Sequence, residues 1–402
     1  MNHINIEDIR KYFPIYQNNK NLHYLDNAAT SLKPACVIEA MNDYYNNYGV
    51  NIHRGVYKMS YIASTKYENA RETVAKFIGA KVDEVVFCRN ASEGLNQIDL
   101  MLSKSLKKGD HILSTPLEHH SSILPWQAKE KEGLVLDYIK LDDNYRITLE
   151  NVKKAITDKT KILAITYASN TMGYITNIKE IINYAHQKDI LVVVDAAQYI
   201  PHFKVDVKDI DCDFLAFSGH KMFGPTGIGV FYGKYDLLKK LEPSYYGGDM
   251  NADVDFHAVE LKKPPLCFET GTPAIAEAIG LAQAIEFIEA IGYENIQKVE
   301  KELLEYAYSK LKDIKEVKIY NPNTDLGIIN FNLEDIHPHD AATILDNYDV
   351  ALRAGHHCAQ LVSRSLGVNG TLRASIYVYN TKEDIDALVD AIKETIKFFK
   401  QF

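Results

Sequence analysis

The sequence is poor in cysteine and has no paired cysteine motif. Its 402 residues include only five cysteines, an odd number at wide spacings. Without a Cys-x-x-Cys pair, the pattern excludes a disulfide framework and a zinc ribbon and fits a reducing compartment. The five are Cys36, Cys88, Cys212, Cys267 and Cys358.

Long hydrophobic runs and an excess of basic charge are also missing. The apolar run 190–194 is far too short to cross a bilayer, and residues 1–13 lack the apolar centre of a secretory signal. The formal net charge of −9 argues against nucleic acid or an anionic membrane as a partner. We therefore expect a cytoplasmic protein.

Short apolar runs alternate with amphipathic stretches between residues 65 and 290. Continuous apolar strands separated by helices, such as the one predicted at 178–188, indicate a parallel sheet covered on both faces. The run 227–232 follows its predecessor after a short loop, so we expect one antiparallel strand. The other predicted strands are 84–88, 111–114, 135–139, 162–167, 190–195 and 214–217.

The pattern changes near residue 291 to that of a smaller α+β domain. A charged amphipathic helix is predicted at 294–312, strands at 317–320 and 327–331, a helix from His339 and a closing helix at 382–399. We predict a large domain at 17–290 and a small one at 291–402, with an N-terminal arm, 1–16, packed on the small one.

Polar residues follow several predicted strands, where open α/β sheets bind ligands. The turn 89–94 precedes a helix predicted at 95–106, and the free backbone N–H groups at the start of that helix would bind an anion. Alternatively, Ser92 only caps the helix. His119 would stack on an aromatic cofactor or belong to a surface histidine pair. Asn170 would bind a substrate carboxylate or be an ordinary turn residue.

An acid and a lysine mark the two central strands. Asp195 ends the most apolar strand, where a carboxylate is costly unless paired with a protonated pyridine nitrogen, a metal or a helix N-terminus. Lys221 follows the next strand beside a glycine-rich turn, which suits a Schiff-base lysine, although a surface lysine is the commoner role. Nearby, Ser218 and His220 are candidate phosphate ligands.

This combination is what pyridoxal phosphate (PLP) requires. Eight segments in order resemble the class V aminotransferase family and, within it, the SUF-type (group II) cysteine desulfurases, which also act as selenocysteine lyases. The resemblance covers about residues 20–395 and implies PLP-dependent transferase fold type I, similar to aspartate aminotransferase. The segments are 24–30 (YLDNAAT), 53–55 (HRG), 91–94 (ASEG), 118–120 (EHH), 195–198 (DAAQ), 218–221 (SGHK), 268–273 (FETGTP) and 353–358 (RAGHHC).

The resemblance implies a role for each matching residue. Lys221 would form the Schiff base and move protons, Asp195 would pair with the pyridine nitrogen, and Gln198 would bond the ring hydroxyl. His119 would stack on the ring and assist proton transfer. The implied phosphate ligands are Ala91, Ser92, Ser218, His220 and, from the neighbouring subunit of a homodimer, Thr272. The implied substrate-binding residues are Arg373, Asn170, His53, Arg353 and His356.

Cys358 decides which reaction the resemblance implies. Its cationic or potentially cationic neighbours, Arg353, His356 and His357, are expected to favour the thiolate. The thiolate would take sulfur from L-cysteine as a persulfide, release alanine and pass the sulfur to a SUF-system acceptor (SufE- or SufU-like) for iron–sulfur assembly. A metal site at His356-His357-Cys358 is disfavoured, because adjacent residues rarely converge on one tetrahedral ion.

Other functions compete with this one. A selenocysteine lyase would use the same residues. A kynureninase-like hydrolase or an aminotransferase of the same family would not need Cys358. A catalytically inactive scaffold or a metal-binding protein would lack the visible colour of lysine-bound PLP.

Overall fold

The computed structural model describes residues 6–401, which form fifteen strands and fourteen α-helices. The strands are β1 His23–Tyr24, β2 Val85–Cys88, β3 His111–Ser114, β4 Val135–Tyr138, β5 Thr160–Thr166, β6 Leu191–Asp195, β7 Phe214–Ser218, β8 Gly229–Gly233, β9 Asn251–Asp255, β10 Ala258–Leu261, β11 Val317–Ile319, β12 Ile328–Leu333, β13 Val350–Ala351, β14 Arg353–Gly355 and β15 Thr371–Ser375. The helices are α1 Pro14–Asn18, α2 Ala35–Asp43, α3 Lys58–Ile78, α4 Ala91–Leu102, α5 His120–Lys129, α6 Leu149–Ala155, α7 Ile178–His186, α8 Val207–Ile210, α9 Tyr235–Leu238, α10 Ile275–Ile291, α11 Tyr293–Leu311, α12 Pro338–Asp346, α13 Gln360–Leu366 and α14 Lys382–Phe399.

Seven strands form the large central sheet, in the order β2-β8-β7-β6-β5-β3-β4. Only β8 runs against its neighbours, so the predicted mostly parallel sheet with one antiparallel strand is confirmed. The parallel register places Thr166 opposite Asp195. Parallel strands end at the same edge, so the polar residues that follow them are brought together.

The central strands are buried because helices cover both faces of the sheet. Every residue of β7 and β8 is buried, as the continuous apolar runs predict. One apolar layer contains residues of α3, α7 and α10. The opposite layer contains residues of α4 and α5. This packing fixes the strand ends that carry the polar residues.

A second sheet of four antiparallel strands has the order β11-β12-β15-β14. Its core includes apolar residues of α11, α12 and α14. The predicted division, between residues 290 and 291, falls at the last residue of α10, just before α11. Near the start of the chain, β1 pairs with β13, so residues 23–24 lie beside the late part of the chain. The two-domain division stays a prediction.

The N-terminal segment lies against residues from both sides of that division. Arg10 Nε donates to the Tyr379 carbonyl at 2.8 Å, and the guanidinium also pairs with Asp384. The Phe13 ring packs edge-on against Phe287 and Tyr379. Residues 1–5 of the predicted arm, and residue 402 of the predicted small domain, lie outside the described residues. Among residues 6–401, no helix combines the length and apolar character needed to cross a membrane.

Candidate active site

A cavity of about 160 Å³ lies where the carboxyl ends of the central strands meet β15 and the loop before α13. It collects residues that are widely separated in the sequence. The predicted site residues that line it are Ala91, Ser92, His119, Asn170, Asp195, Ser218, His220, Lys221, Arg353, Cys358 and Arg373.

Asp195 is the last residue of β6 and is deeply buried. One carboxylate oxygen, Oδ1, accepts a hydrogen bond from the Ala197 amide at 2.9 Å. Burial raises the pKa of this carboxyl, while that amide and the charge of Lys221 oppose the rise. A cationic partner in the cavity would therefore stabilise the ionised acid.

Lys221 ends a 3₁₀ helix, Gly219–Lys221, that directly follows β7. Desolvation lowers the pKa of its amine from 10.5 to about 8, and the opposing attraction of Asp195 is smaller. A lowered pKa supplies more neutral amine near physiological pH, which is what a nucleophilic lysine needs. The turn is held from the side by Ser31, whose Oγ accepts from the Phe223 amide at 2.7 Å.

His119 precedes α5 and caps it, because its Nδ1 accepts from the Ser121 amide at 3.1 Å. Burial, followed by the charge of Lys221, lowers the pKa of His119 to about 3, so the ring is neutral. With Nδ1 acting as acceptor, the ring proton lies on Nε2. Ser121 Oγ in turn lies 2.5 Å from Ser92 Oγ, which links the histidine to the start of α4.

The turn after β2 leads directly into α4, which begins at Ala91 rather than at the predicted residue 95. The alternative that Ser92 is only the helix cap is wrong, because Asn90 is the cap: its side chain accepts from the Glu93 amide at 2.9 Å. The Ala91 amide donates to Ser218 Oγ at 2.8 Å, which joins this turn to the end of β7. The N-terminus of a twelve-residue helix therefore faces the cavity, where it favours an anion.

Arg373, on β15, is fully buried at the opposite side of the cavity. Its Nη1 donates to the Asn170 carbonyl at 2.8 Å, and its Nη2 to Asp26 Oδ1 at 3.1 Å. Burial lowers its pKa to about 10, which leaves it charged at neutral pH. Neither Arg373 Nε nor Asn170 Oδ1 has a partner among the described residues. The site thus keeps a free guanidinium donor, as carboxylate binding requires.

Cys358 is the only one of the five cysteines that is exposed. Both Cys358 and His357 have left-handed backbone angles, φ 55° and 53°, which are uncommon for residues with a side chain. Two hydrogen bonds fix this loop: the His120 amide donates to the Cys358 carbonyl at 2.7 Å, and Asn170 Nδ2 donates to the His357 carbonyl at 2.7 Å.

One expected cation beside Cys358 is not a cation. His357 is buried, and its Nε2 lies 2.8 Å from Thr371 Oγ1. Burial, together with the charges of Arg373 and Arg353, lowers the pKa of His357 to about 2. The imidazole is therefore neutral, and the expectation that His357 adds positive charge next to Cys358 is wrong.

Sequence comparison places this architecture in a known family. Residues 23–388 match the family described as aminotransferase class-V. The chain belongs to the class V aminotransferase family. The family prediction and the fold class are thereby confirmed, and so is PLP as the cofactor, since this family is PLP-dependent.

Named class V relatives match over nearly the whole chain. A probable cysteine desulfurase of Halalkalibacterium halodurans is 47% identical over 98% of this chain and 99% of that protein. One from Staphylococcus aureus strain N315 is 46% identical, covering 98% and 97% respectively. The apo cysteine desulfurase of Thermococcus onnurineus NA1 has a TM-score of 0.94 at 43% identity, covering 99% of this chain and 100% of that one. The cysteine desulfurase CsdA (S-sulfonic acid) of Escherichia coli has a TM-score of 0.92 at 35% identity, with the same coverage.

The cavity residues fit PLP, the cofactor of the class V family. Asp195 is a buried acid that needs a cationic partner, Lys221 has a desolvated amine, and the N-terminus of α4 faces the same space. Gln198 does not line the cavity, but its neighbour Ala197 does, and its buried Oε1 has no partner in the described chain, so it has bonding capacity left for a polar group. These residues supply what the pyridine nitrogen, the aldehyde, the phosphate and a ring substituent require.

Four predicted residues lie outside the lining of this cavity: Gln198, described above, and three more. Thr272 lines a separate pocket with Arg89 and Tyr245. His53 pairs with Glu68 through Nε2 at 2.9 Å and borders a third pocket. His356 Nδ1 lies 3.0 Å from Ser363 Oγ. Direct contact of these four residues with cofactor or substrate stays a prediction.

Several residues that shape the cavity were not predicted as site residues. Ala28 and Ala29 line it, and they belong to the recognised segment 24–30. Ser121 also lines it, and its position directly after the Glu-His-His segment was an available signal. Asp26 binds both cavity arginines, with its Oδ2 accepting from Arg353 Nε at 3.2 Å. Among the residues described, no cluster of three or more His, Cys, Asp or Glu side chains is arranged to hold a metal ion.

Proposed function

We propose that the protein is a cysteine desulfurase that converts L-cysteine to L-alanine and holds the sulfur as a persulfide on Cys358. The observation that carries this proposal is that Cys358 and Lys221 line the same cavity. An aminotransferase or a hydrolase of this family has no use for a thiol at that position. The relatives named cysteine desulfurase support the same reaction.

PLP, when bound to Lys221, supplies an electron sink for the substrate α-carbon. Around it, the chain's own residues position the substrate and move protons. Arg373 has a free Nε donor for the substrate carboxylate, and Asn170 Oδ1 is free to accept from a substrate amino group. Lys221, with its lowered pKa, would take the proton from the α-carbon.

Sulfur transfer is assigned to the exposed loop. The Cys358 thiolate would attack the substrate sulfur, so that a new S–S bond forms while the sulfur–carbon bond breaks. The carbon keeps the electron pair and takes a proton to become the methyl group of alanine. Neutral His119, with its proton on Nε2, is placed at the cavity to exchange protons during these steps.

The finer parts of the proposal concern partners. Because Cys358 is exposed, a thiol of an acceptor protein has access to the persulfide, which fits a SUF-system acceptor and iron–sulfur assembly in the cytoplasm. Selenocysteine would enter the same site, so selenocysteine lyase activity belongs to the proposal. Thr272, which lies apart from the cavity, suits the assigned contact with a neighbouring subunit in a homodimer.

The test compares the wild-type holoenzyme with Cys358→Ala. Alanine and sulfide released from L-cysteine are measured with and without a candidate acceptor protein, and Cys267→Ala serves as a control at a buried cysteine outside the cavity. The wild type and the control should release alanine, whereas Cys358→Ala should lose at least about 99% of this activity. Equal alanine release from Cys358→Ala would contradict the proposal.

A further inference from the structure

One backbone carbonyl beside the cofactor lysine attracts an unusual number of donors. The His220 carbonyl accepts from the Ser31 amide at 3.1 Å, from Thr30 Oγ1 at 2.9 Å and from Lys33 Nζ at 2.9 Å. Ser31 Oγ lies within hydrogen-bonding distance of it as well, at 3.2 Å. A carbonyl oxygen has two lone pairs, so this crowding marks a peptide that the fold holds firmly.

Lys33 is the charged member of this group. Its Nζ also donates to Thr30 Oγ1 at 3.0 Å and to the Ser31 carbonyl. Within the described part of the chain it forms no ion pair with a carboxylate, so its charge is met by neutral oxygens alone. Burial lowers the pKa of Lys33 to about 8, and its charge in turn helps to lower the pKa of His220.

The held peptide links His220 directly to Lys221, within the 3₁₀ helix that presents the lysine to the cavity. Ser31 binds the other end of this turn at the Phe223 amide. We propose that Lys33 is a positioning residue: by binding the His220 carbonyl, it fixes the turn that aims Lys221 at the cofactor and adds positive charge behind the phosphate ligands. No role was assigned to Lys33 by sequence analysis or by the proposed reaction.

The positive charge of Lys33 is the contribution to this turn that a neutral hydrogen-bond donor could not make. Ser218 and His220 are the proposed phosphate ligands at this end of the cavity, and His220 is itself neutral because its pKa is lowered to about 4. A cation that binds the backbone of His220 therefore supplies a field that favours the cofactor's phosphate. This inference rests on the proposed roles of Lys221, Ser218 and His220 at the cofactor, but not on the fate of the substrate sulfur.

The experiment measures how long the full-length holoenzyme keeps its cofactor. Lys33→Met removes the charge and the donors at nearly constant length, and Lys33→Arg restores both. Lys234→Met is the control: Lys234 is also partly buried, but it pairs with Asp211 and Asp213 instead of binding the His220 carbonyl. PLP loss during dialysis is followed by visible absorbance, and thermal unfolding is recorded for every variant.

We expect Lys33→Met to lose PLP about tenfold faster than the wild type, as removal of a hydrogen bond to a charged group implies. Lys33→Arg should recover most of this retention, and Lys234→Met should lower stability without faster PLP loss. If Lys33→Met does not fold, Lys33→Gln, which keeps a donor without the charge, is measured instead. If Lys33→Met lost PLP no faster than the wild type, or no faster than Lys234→Met, the inference would be overturned. A wild type that keeps PLP but releases no alanine would refute the proposed function alone.

Discussion

Two parts of the cavity differ in burial and in what holds them in place: the floor, which carries Asp195 and Lys221, and the rim, which is the loop that carries Cys358. At the floor, Asp195 ends one buried central strand and Lys221 follows the next. Burial raises the pKa of Asp195 and lowers the pKa of Lys221. At the rim, Cys358 is exposed on a loop whose backbone takes left-handed angles at His357 and Cys358. The floor is fixed by the packing of a whole sheet, whereas the rim is held by local hydrogen bonds from α5 and Asn170.

This difference matches two different chemical tasks. Storing electrons from a substrate carbon requires charges held in a dry place, where their interactions are strong. In the proposed reaction the sulfur passes to another protein, which requires the sulfur carrier to be accessible. The structure therefore separates the parts by burial, and changes at the floor and at the rim should be distinguishable by cofactor colour, which only the floor controls.

Lys221→Ala should produce the largest effect. In the proposed reaction the Lys221 amine binds PLP and moves the α-proton, so alanine release should fall about 1,000-fold or more without it. The visible absorbance of lysine-bound PLP should vanish as well, whereas Cys358→Ala, at the rim, should keep it. Absorbance spectra and alanine assays check both points, and a coloured Lys221→Ala protein would break the distinction.

Asp195→Asn should produce the second-largest effect on alanine release. The substitution keeps the shape of the side chain but removes the negative charge, and a neighbouring charge typically shifts a pKa by one to three units. Alanine release should therefore fall about 100-fold, while PLP stays bound to Lys221. Asp99→Asn is the control, because Asp99 is a buried acid on α4 that does not line the cavity. Equal rates for the two variants would contradict a charge role for Asp195.

The pH dependence of PLP uptake tests the protonation of Lys221 at the floor without a substitution there. Because the pKa of Lys221 is lowered to about 8, its amine is protonated below that pH and neutral above it. Uptake of PLP by the cofactor-free protein should therefore speed up about tenfold per pH unit from pH 6 to 7, and level off above pH 9. Stopped-flow absorbance measures this rate. Cys358→Ala should give the same curve, and a rate that keeps rising about tenfold per pH unit beyond pH 9 would show that the pKa of Lys221 is not lowered.

The floor was easier to predict from sequence than the rim. All seven predicted strands of the central sheet appear within two residues of their expected bounds at both ends, because a strand buried on both faces requires a continuous apolar run. Lys221 and Asp195 could be singled out because each follows such a run directly. The start of α4 was missed, although Asn90 followed three residues later by Glu93 is a usable capping signal.

Contacts between segments that are far apart in the sequence could not be predicted from the residues next to each partner. Asp26 binds Arg353 and Arg373, which come more than 300 residues later, and nothing in its neighbours indicates that pairing. Likewise, the neutral state of His357 depends on burial beside Arg373, not on its position next to Cys358. Such properties arise from tertiary packing, so sequence reasoning could name the residues but not their charge states or partners.

Gly355→Ala should give the smallest effect and test the rim alone. Gly355 has φ 115°, an angle that residues with a side chain rarely adopt, and an added Cβ would lie 3.4 Å from His339 Nε2. The strain should cost about 1–3 kcal/mol, measured by chemical denaturation, and displace the Cys358 loop. Alanine release should drop about threefold to tenfold, because a small misplacement of a reacting group slows a reaction sharply.

The matched control for Gly355→Ala is Gly367→Ala, at the end of α13. Gly367 also has a positive φ, 69°, but an added Cβ would meet no atom within 4 Å. This control should lose some stability yet keep the wild-type rate of alanine release. Cofactor colour should be unchanged in both variants, because neither touches the floor. If Gly355→Ala lost its PLP absorbance, or if both variants slowed alanine release equally, the rim would not be an independent part of the site.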